Sequence, residues 1–305
     1  MSHTTSTVPR PTRIAKARLG YLFIAPGAVL VVTFFIFPLG NALYLSFLDF
    51  DGISANPPFV GLDNYVRLLA DQLAIDAIGR NFLWVIVGTI TPLVLGLIMA
   101  LALWTLGRGS VLYRILFFLP HLLPVVAVGV VWGWIYNPIR GWLNEALRLV
   151  GLESLQRGWL GEPDTALWAV LATAIWATYG FVLIILLSAL GNVDEELLEA
   201  ARLDGTNAVQ RVWHIVLPQI VPVFILVTTL TLVGGFAVFD IVFVMTGGGP
   251  ANASNLLGTY AYANAFQLGN LSYGTTLALV ILVLSVPFVI ALNLIQRRLS
   301  LRNIR

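Results

Sequence analysis

Apolar residues along this chain gather into six long blocks, at residues 19–45, 82–106, 115–136, 166–190, 220–246 and 273–295. About 20 residues of helix, rising about 1.5 Å each, cover the roughly 30 Å hydrocarbon core of a bilayer, and every block reaches that length. The third is the least regular, because Pro120, His121 and Pro124 interrupt it. Pro26, Pro38, Pro92, Pro222 and Pro287 fall within other blocks. Membrane helices tolerate proline where neighbours satisfy the freed carbonyls. The pattern predicts an all-α, polytopic membrane protein. It has six transmembrane helices in one domain over 19–296, an N-terminal arm over 1–18 and a tail over 297–305. A further helix is predicted in the connection between the fourth and fifth spans, residues 191–218.

Composition agrees with lipid as the solvent. Of the 305 residues 58% are hydrophobic and 10% charged, against about 25% charged in a soluble domain. Cysteine is absent, which excludes disulfides and thiolate metal sites. His3, His121 and His214 are too dispersed to form a ligand set. A net charge of +2 gives no reason to expect nucleic acid as a partner.

The distribution of charge gives a direction. Of the 17 basic residues, Arg10, Arg13, Lys16, Arg18, Arg108, Arg114, Arg202, Arg211, Arg297, Arg298, Arg302 and Arg305 fall on one side of a six-span chain. Arg67, Arg80, Arg140, Arg148 and Arg157 fall on the other. The positive-inside rule then places both termini in the cytoplasm and the chain in the cytoplasmic (inner) membrane as a multi-pass protein. The basic arm runs into an apolar block too long for a cleaved signal peptide, so it reads as an uncleaved signal-anchor.

The connection at 191–218 reads GNVDEELLEAARLDGTNAVQRVWHIVLP. Asp194 is a good N-cap, with Glu195 and Glu196 where the helix dipole favours acids. Leu197, Leu198, Ala201 and either Ala200 or Leu203 form an apolar stripe at helical spacing. Asp204-Gly205 ends the helix, with Gly205 at the residue after the cap, and a second amphipathic helix leads into Pro218. Four acids precede the first arginine of this segment, so anionic lipid headgroups repel it. The stripe is therefore predicted to meet a protein.

Within the fourth block Ala174, Ala177, Thr178 and Phe181 share one helical face, flanked by Trp176 and Tyr179. In the fifth, Thr228, Thr231, Gly235 and Val238 do the same, and Gly234-Gly235 permits a bend or a close approach. Such residues line a solute path or pack helices closely, and spacing does not choose between the two. Asp240 is the acid inside the predicted spans. It lies about 31 Å beyond Gln219 on a straight helix, near the outer interface, and about half a turn off the Thr231 face. Only a kink at the glycines would bring both to one cavity. Interfacial and solute-facing roles both stand open for it.

Glu199-Ala200-Ala201, followed by Gly205, Ile215 and Leu217-Pro218 at the family's spacing, resembles the EAA loop of ABC importer permeases. The resemblance implies that Glu199, Ala200, Ala201, Asp204, Gly205, Ile215, Leu217 and Pro218 form the coupling element that docks on an ATP-hydrolysing subunit. Phe59-Val60-Gly61-Leu62-Asp63-Asn64-Tyr65, Leu119-Pro120 through Trp132, Asn137-Pro138, Gly141-Trp142-Leu143-Asn144, Phe239-Asp240 and Thr246-Gly247-Gly248-Gly249-Pro250 resemble the sugar-importer branch. The likeness extends over about residues 15–300, and Asn81-Phe82 departs from the Asn-Thr of that branch. Its implications are a second homologous permease, two ATP-binding subunits carrying ATP and Mg²⁺, an extracytoplasmic solute-binding protein and alternating access. Solute is implied to pass Ala174, Ala177, Thr178, Phe181, Thr231, Gly235, Val238 and Asp240. Few of these are the asparagines or tyrosines that grip sugar hydroxyls, so sugars, glycerol phosphate and oligosaccharides remain equally compatible.

No G-x-x-x-x-G-K-[ST] loop is present, and Lys16 is the single lysine. The chain is therefore predicted not to be an ATPase, and to need no cofactor of its own. Paired acids, metal-ligand clusters and nucleophile–base pairs are absent from the predicted spans, which argues against an intramembrane enzyme. The competing class is an ion-coupled secondary transporter, which would rely on Asp240 or His121. The orientation is testable: a fluorescent reporter fused after Arg305 is expected to fold in the cytoplasm, and alkaline phosphatase fused there to be inactive. The opposite pattern would place the tail outside.

Overall fold

A computed structural model describes residues 23–106 and 111–302, with Ser300–Arg302 described only as backbone. The basic arm, residues 19–22, Arg108 and Arg305, on which the orientation argument draws, lie outside the described residues. Those described are helical or irregular, with one isolated bridge between Leu48 and Phe59. Five helices are long and apolar enough to cross a bilayer, and a sharply bent pair supplies a sixth crossing if it counts as one span.

Helix α1, Phe23–Leu45, lies at the periphery with no buried residue in its apolar window, and packs on the last long helix. A π-type turn at Val32–Ile36 precedes Pro38. There the Phe37 N–H reaches back to the Val32 carbonyl. The widened turn makes room for a ring that has no N–H to give. After the loop that follows, α2, Asp63–Ala70, is tied to α1 by the buried Asn64, whose amide donates to the Ser46 and Leu48 carbonyls at 2.9 and 2.8 Å.

Helix α3, Gln72–Leu106, has 35 residues, about 52 Å. It starts ten residues before the predicted second span, because Gln72, Asp76 and Arg80 break the hydropathy signal without breaking the helix. The third block is two helices, α4 at Val111–Leu122 and α5 at Val125–Ile135, bent by 96°. Pro124 causes this. The residue before a proline is pushed out of the helical region, so α4 stops at Leu122, Leu123 leaves the helix and Pro124 stands as the N-cap of α5. The segment carrying α6, Trp142–Leu149, is gathered around Asn144. Its amide donates to the Pro138 and Arg157 carbonyls, and its oxygen accepts from the Trp159 indole at 2.8 Å.

Helix α7, Pro163–Leu190, crosses α3 in the most extensive helix pairing among the described residues. Lipid tails are as apolar as leucine, so close packing holds such a pair together rather than exclusion from water. Glycine permits that closeness. A Cβ on Gly96 would sit 2.6 Å from Val182 Cγ1, and one on Gly180 would lie 2.1 Å from the Phe117 carbonyl oxygen of α4. Next come α8, Glu195–Leu203, and α9, Ala208–Phe236. A second π turn at Val212–Val216 precedes Pro218, repeating the device of α1.

The fifth span ends at Phe236 and not at Thr246 as its hydropathy suggested. Residues 237–239 are non-helical, and a short helix α10, Asp240–Met245, follows. Gly234-Gly235 lies directly before this break. A short helix α11, Leu257–Tyr262, and the long apolar helix α12, Leu271–Arg302, follow.

Asp71, between α2 and α3, fastens α3 to α11 and α12. One carboxylate oxygen accepts from the Leu73 and Ala74 N–H groups that open α3. The other accepts from the hydroxyls of Tyr260 and Tyr273, both at 2.7 Å, and the Arg67 guanidinium lies 4.0 Å over the Tyr273 ring. Burial raises the Asp71 carboxyl, but the two tyrosines and two backbone amides outweigh it and hold the group below its usual value of 3.8. A lowered carboxyl stabilises the fold in full above about pH 3.8 and loses that contribution as pH falls through the lowered value. An amide has one acceptor oxygen where this carboxylate uses two, and leaving a buried hydroxyl unpaired costs about 1–3 kcal/mol. Asp71→Asn is therefore expected to lower the Tm of the detergent-solubilised protein by about 2–4 °C or more at neutral pH. An unchanged Tm would remove Asp71 as the fastening.

Candidate functional site

Two features stand out: a pair of adjoining cavities within the helical body, and a helical hairpin at one end of it. The cavities are formed where α4, α7 and the end of α9 meet. One, of about 350 Å³, is lined by Ala174, Thr178, Phe181, Thr231, Gly235 and Val238, together with Trp84 and Gly88 of α3. The other, of about 400 Å³, is lined by Ala174, Ala177, Thr178, Val238 and Asp240, with residues of α4 and α5. His121 and Gly234 line both. All eight residues singled out for the solute path therefore lie on these walls, whereas Thr228 does not.

The break after Phe236 produces this arrangement. On a continuous helix Asp240 would project away from Thr231. With the helix ended, Val238 leaves the helical face and the chain turns, so that Asp240 opens α10 beside the second cavity. Gly235 meets α3 at ordinary contact distance, its Cβ position 3.5 Å from Val85. Asp240 is solvent-accessible, and its carboxylate has no partner among the described residues.

Trp84 and Gly88 were missed because the second block is apolar throughout and shows no polar face. Their i, i+4 spacing of a large and a small residue was the available signal. His121 stands in the Pro120–Pro124 turn. Its Nδ1 is 3.1 Å from the Ala177 carbonyl, and its ring lies 4.9 Å from that of Phe181. Buried Asn81 and Thr89 on α3 carry side-chain polar atoms with no partner among the described residues, and nothing in the structure accounts for them.

The hairpin is built from its caps inward. The Asp194 side chain accepts from the Glu196 and Leu197 N–H groups. At the other end Gly205 has φ +76°. The Thr206 N–H bonds to the Ala201 carbonyl and the Gly205 N–H to that of Arg202, the paired closure of a left-handed helix stop. Asn207 and Gln210 cap the next helix reciprocally. The Arg211 guanidinium donates to the Thr206 carbonyl. The Asp194 N–H donates to Gln219 Oε1 at 3.1 Å, tying the start of α8 to α9.

The apolar stripe of α8 divides. Leu198 and Ala201, 7% and 8% exposed, pack on this chain; Leu198 joins Leu103, Leu187, Leu190 and Val216. Part of the stripe expected to need a partner is thus satisfied internally. The opposite face carries Glu196, Glu199, Ala200 and Leu203, the last 90% exposed, with Val209 and Trp213 exposed nearby. Ile215 and Leu217 are half-buried, Pro218 exposed. Glu195, Glu199 and Arg202 also line a polar cleft of about 470 Å³ against Trp104 and Thr105 of α3.

Residues 92–303 match the family described as "binding-protein-dependent transport system inner membrane component". The chain is 33% identical over 280 residues to the probable ABC transporter permease protein YurN of Bacillus subtilis, covering 91% of this chain and 94% of the relative. It is 32% identical over 279 residues to the trehalose/maltose transport system permease protein MalF of Thermococcus litoralis, covering 90% and 92%. Among solved structures, a chain of a bacterial alginate ABC transporter, in complex with its alginate pentasaccharide-bound periplasmic protein, superimposes with a TM-score of 0.81. That match has 21% identity and covers 94% of this chain and 96% of the other; it speaks to the fold.

The hairpin geometry makes its own prediction. A side chain at Gly205 meets nothing within 4 Å, but the left-handed backbone costs a non-glycine residue about 1–2 kcal/mol. Gly205→Ala is expected to raise amide hydrogen exchange at Gly205's neighbours Thr206 and Asp204 by about fivefold or more, with exchange in α3 unchanged. Equal exchange would show that the turn does not depend on glycine.

Proposed function

This chain belongs to the family of binding-protein-dependent transport system inner membrane components, and from that premise we propose that it is the permease subunit of an ATP-driven importer for a sugar or a related polyol or oligosaccharide. The observation that carries the proposal is the continuity of α9. One helix begins in the surface hairpin at Ala208 and ends at Phe236, among the cavity-lining residues Thr231, Gly234 and Gly235. A surface motion is thereby connected to the cavity wall. Relatives named for trehalose/maltose transport support the solute class. Family membership displaces the ion-coupled alternative.

In this reading the chain pairs with a second homologous permease, and two ATP-binding subunits hold ATP and Mg²⁺. Glu199, Ala200, Ala201, Asp204 and Gly205 form the docking element on α8, with Ile215, Leu217 and Pro218 carrying the connection into α9. The uncovered Leu203 and Ala200 supply apolar contact and Glu199 a charge. An extracytoplasmic binding protein delivers solute to the segments around α2, α6 and α11. ATP binding draws the ATPases together, the hairpins follow, and the cavity opens outward. Both termini and the hairpin then lie in the cytoplasm.

Affinity purification of this chain from its native membrane in mild detergent is expected to recover a second permease and a phosphate-loop ATPase. Glu199→Lys and Gly205→Pro are expected to lower solute uptake at least tenfold while the chain remains in the membrane. A chain recovered alone or as a homo-oligomer, or uptake unchanged in both variants, would overturn the assignment.

A further inference from the structure

Among the polar side chains facing the two cavities, His121, Thr178 and Thr231 have a hydrogen already committed within the chain. His121 Nδ1 lies 3.1 Å from the Ala177 carbonyl. A carbonyl only accepts, so Nδ1 carries the proton, and in that tautomer Nε2 is the acceptor. Thr178 donates its hydroxyl to the Ala174 carbonyl at 2.8 Å, and Thr231 donates to that of Val227 at 3.0 Å. Each hydroxyl keeps lone pairs but has no hydrogen to offer. The Asp240 carboxylate accepts only. Trp84 brings an indole N–H, but its side chain is 3% exposed. Among the described residues neither lysine nor arginine lines either cavity. The N–H groups opening α10 carry partial positive charge, yet Asp240 sits in that first turn and its full charge outweighs theirs.

Resting on the importer reading above, we propose that this wall selects solutes that donate hydrogen bonds and carry no negative charge, so that uncharged sugars and polyols are carried and sugar phosphates and uronates refused. A hydroxyl-rich solute has the hydrogens that His121 Nε2, Thr178, Thr231 and Asp240 lack. Its apolar ring faces match Phe181 and the surrounding alanine, glycine and valine. A phosphate or carboxylate offers more acceptors to side chains that already accept, and it meets the like charge of Asp240. A quaternary ammonium has no hydrogen to donate.

The test uses the intact transporter in its own cells, with cells lacking only this chain as reference. Both are given two defined mixtures. One holds uncharged sugars, polyols and oligosaccharides; the other holds sugar phosphates, uronates and glycine betaine. Depletion from the medium is read by mass spectrometry. Depletion that needs this chain is expected in the uncharged mixture alone. For the solute so identified, His121→Phe keeps a ring beside Phe181 and loses the acceptor, and is expected to raise the KM for uptake at least tenfold. His121→Gln restores an acceptor and is expected to bring the KM back to within about threefold. Chain level in the membrane and recovery of the whole complex control for folding. Chain-dependent depletion of a phosphate, uronate or betaine would overturn the selectivity and leave the importer reading standing; a cation brought to the cavity by another subunit would show itself in this way. An unchanged KM in His121→Phe would overturn the role of the wall. No chain-dependent depletion from either mixture would overturn the importer reading and this inference together.

Discussion

No water reaches the hydrocarbon core of a bilayer, so every backbone amide and carbonyl there must find its partner within protein. This constraint shapes most of the irregularities in the chain. At Pro38 and Pro218 the helix continues past the missing N–H by widening into a π turn one residue ahead of the ring's neighbour. At Pro124 the helix ends and restarts at 96°. After Gly234-Gly235 it stops altogether, and the cavities lie beside this break and beside the bend. Irregular backbone inside a membrane is tolerable where it lines a cavity, and both interruptions do.

Close packing performs the work that exclusion from water performs in soluble proteins. The contact between α3 and α7 relies on Gly96, and that between α7 and α4 on Gly180. These crossings set the cavity walls, since Ala174, Thr178 and Phe181 of α7 face His121 of α4 within two turns of Gly180. Small residues thus act at one place as spacers and at another as wall. This explains why their spacing in the sequence did not choose between packing and passage.

Much of the architecture was legible in the sequence. The apolar blocks found the long helices, and the N-cap at Asp194 and the stop at Gly205 located α8 to within a residue. The failures share a cause, because hydropathy averages over a window and does not register backbone hydrogen bonding. It shortened α3 by omitting the polar turns from Gln72 to Arg80, merged α4 with α5, and ran α9 through its break into α10. The site was partly legible for the same reason. The face of α7 follows helical periodicity and could be read directly. Asp240 reaches the cavity through the break in the helix at residues 237–239, and Trp84 and Gly88 come from a helix with no polar face. The fastening at Asp71 joins residues 189 and 202 positions apart in the chain, beyond the reach of any local pattern.

The hydrogen bond from the Asp194 amide to Gln219 has a mechanical meaning. It closes the hairpin against the foot of α9, so the two turn as one piece. From Ala208 to Thr231 that helix is about 35 Å long. A rod of this length tilted by about 5° carries its far end about 3 Å, comparable to the width of a water molecule. The Gln219 bond lies just beyond the π turn at Val212–Val216. Under the importer proposal the short hairpin would be one arm of a lever whose long arm ends in the cavity wall, and the stiffness of the foot would set how much of an applied tilt arrives there.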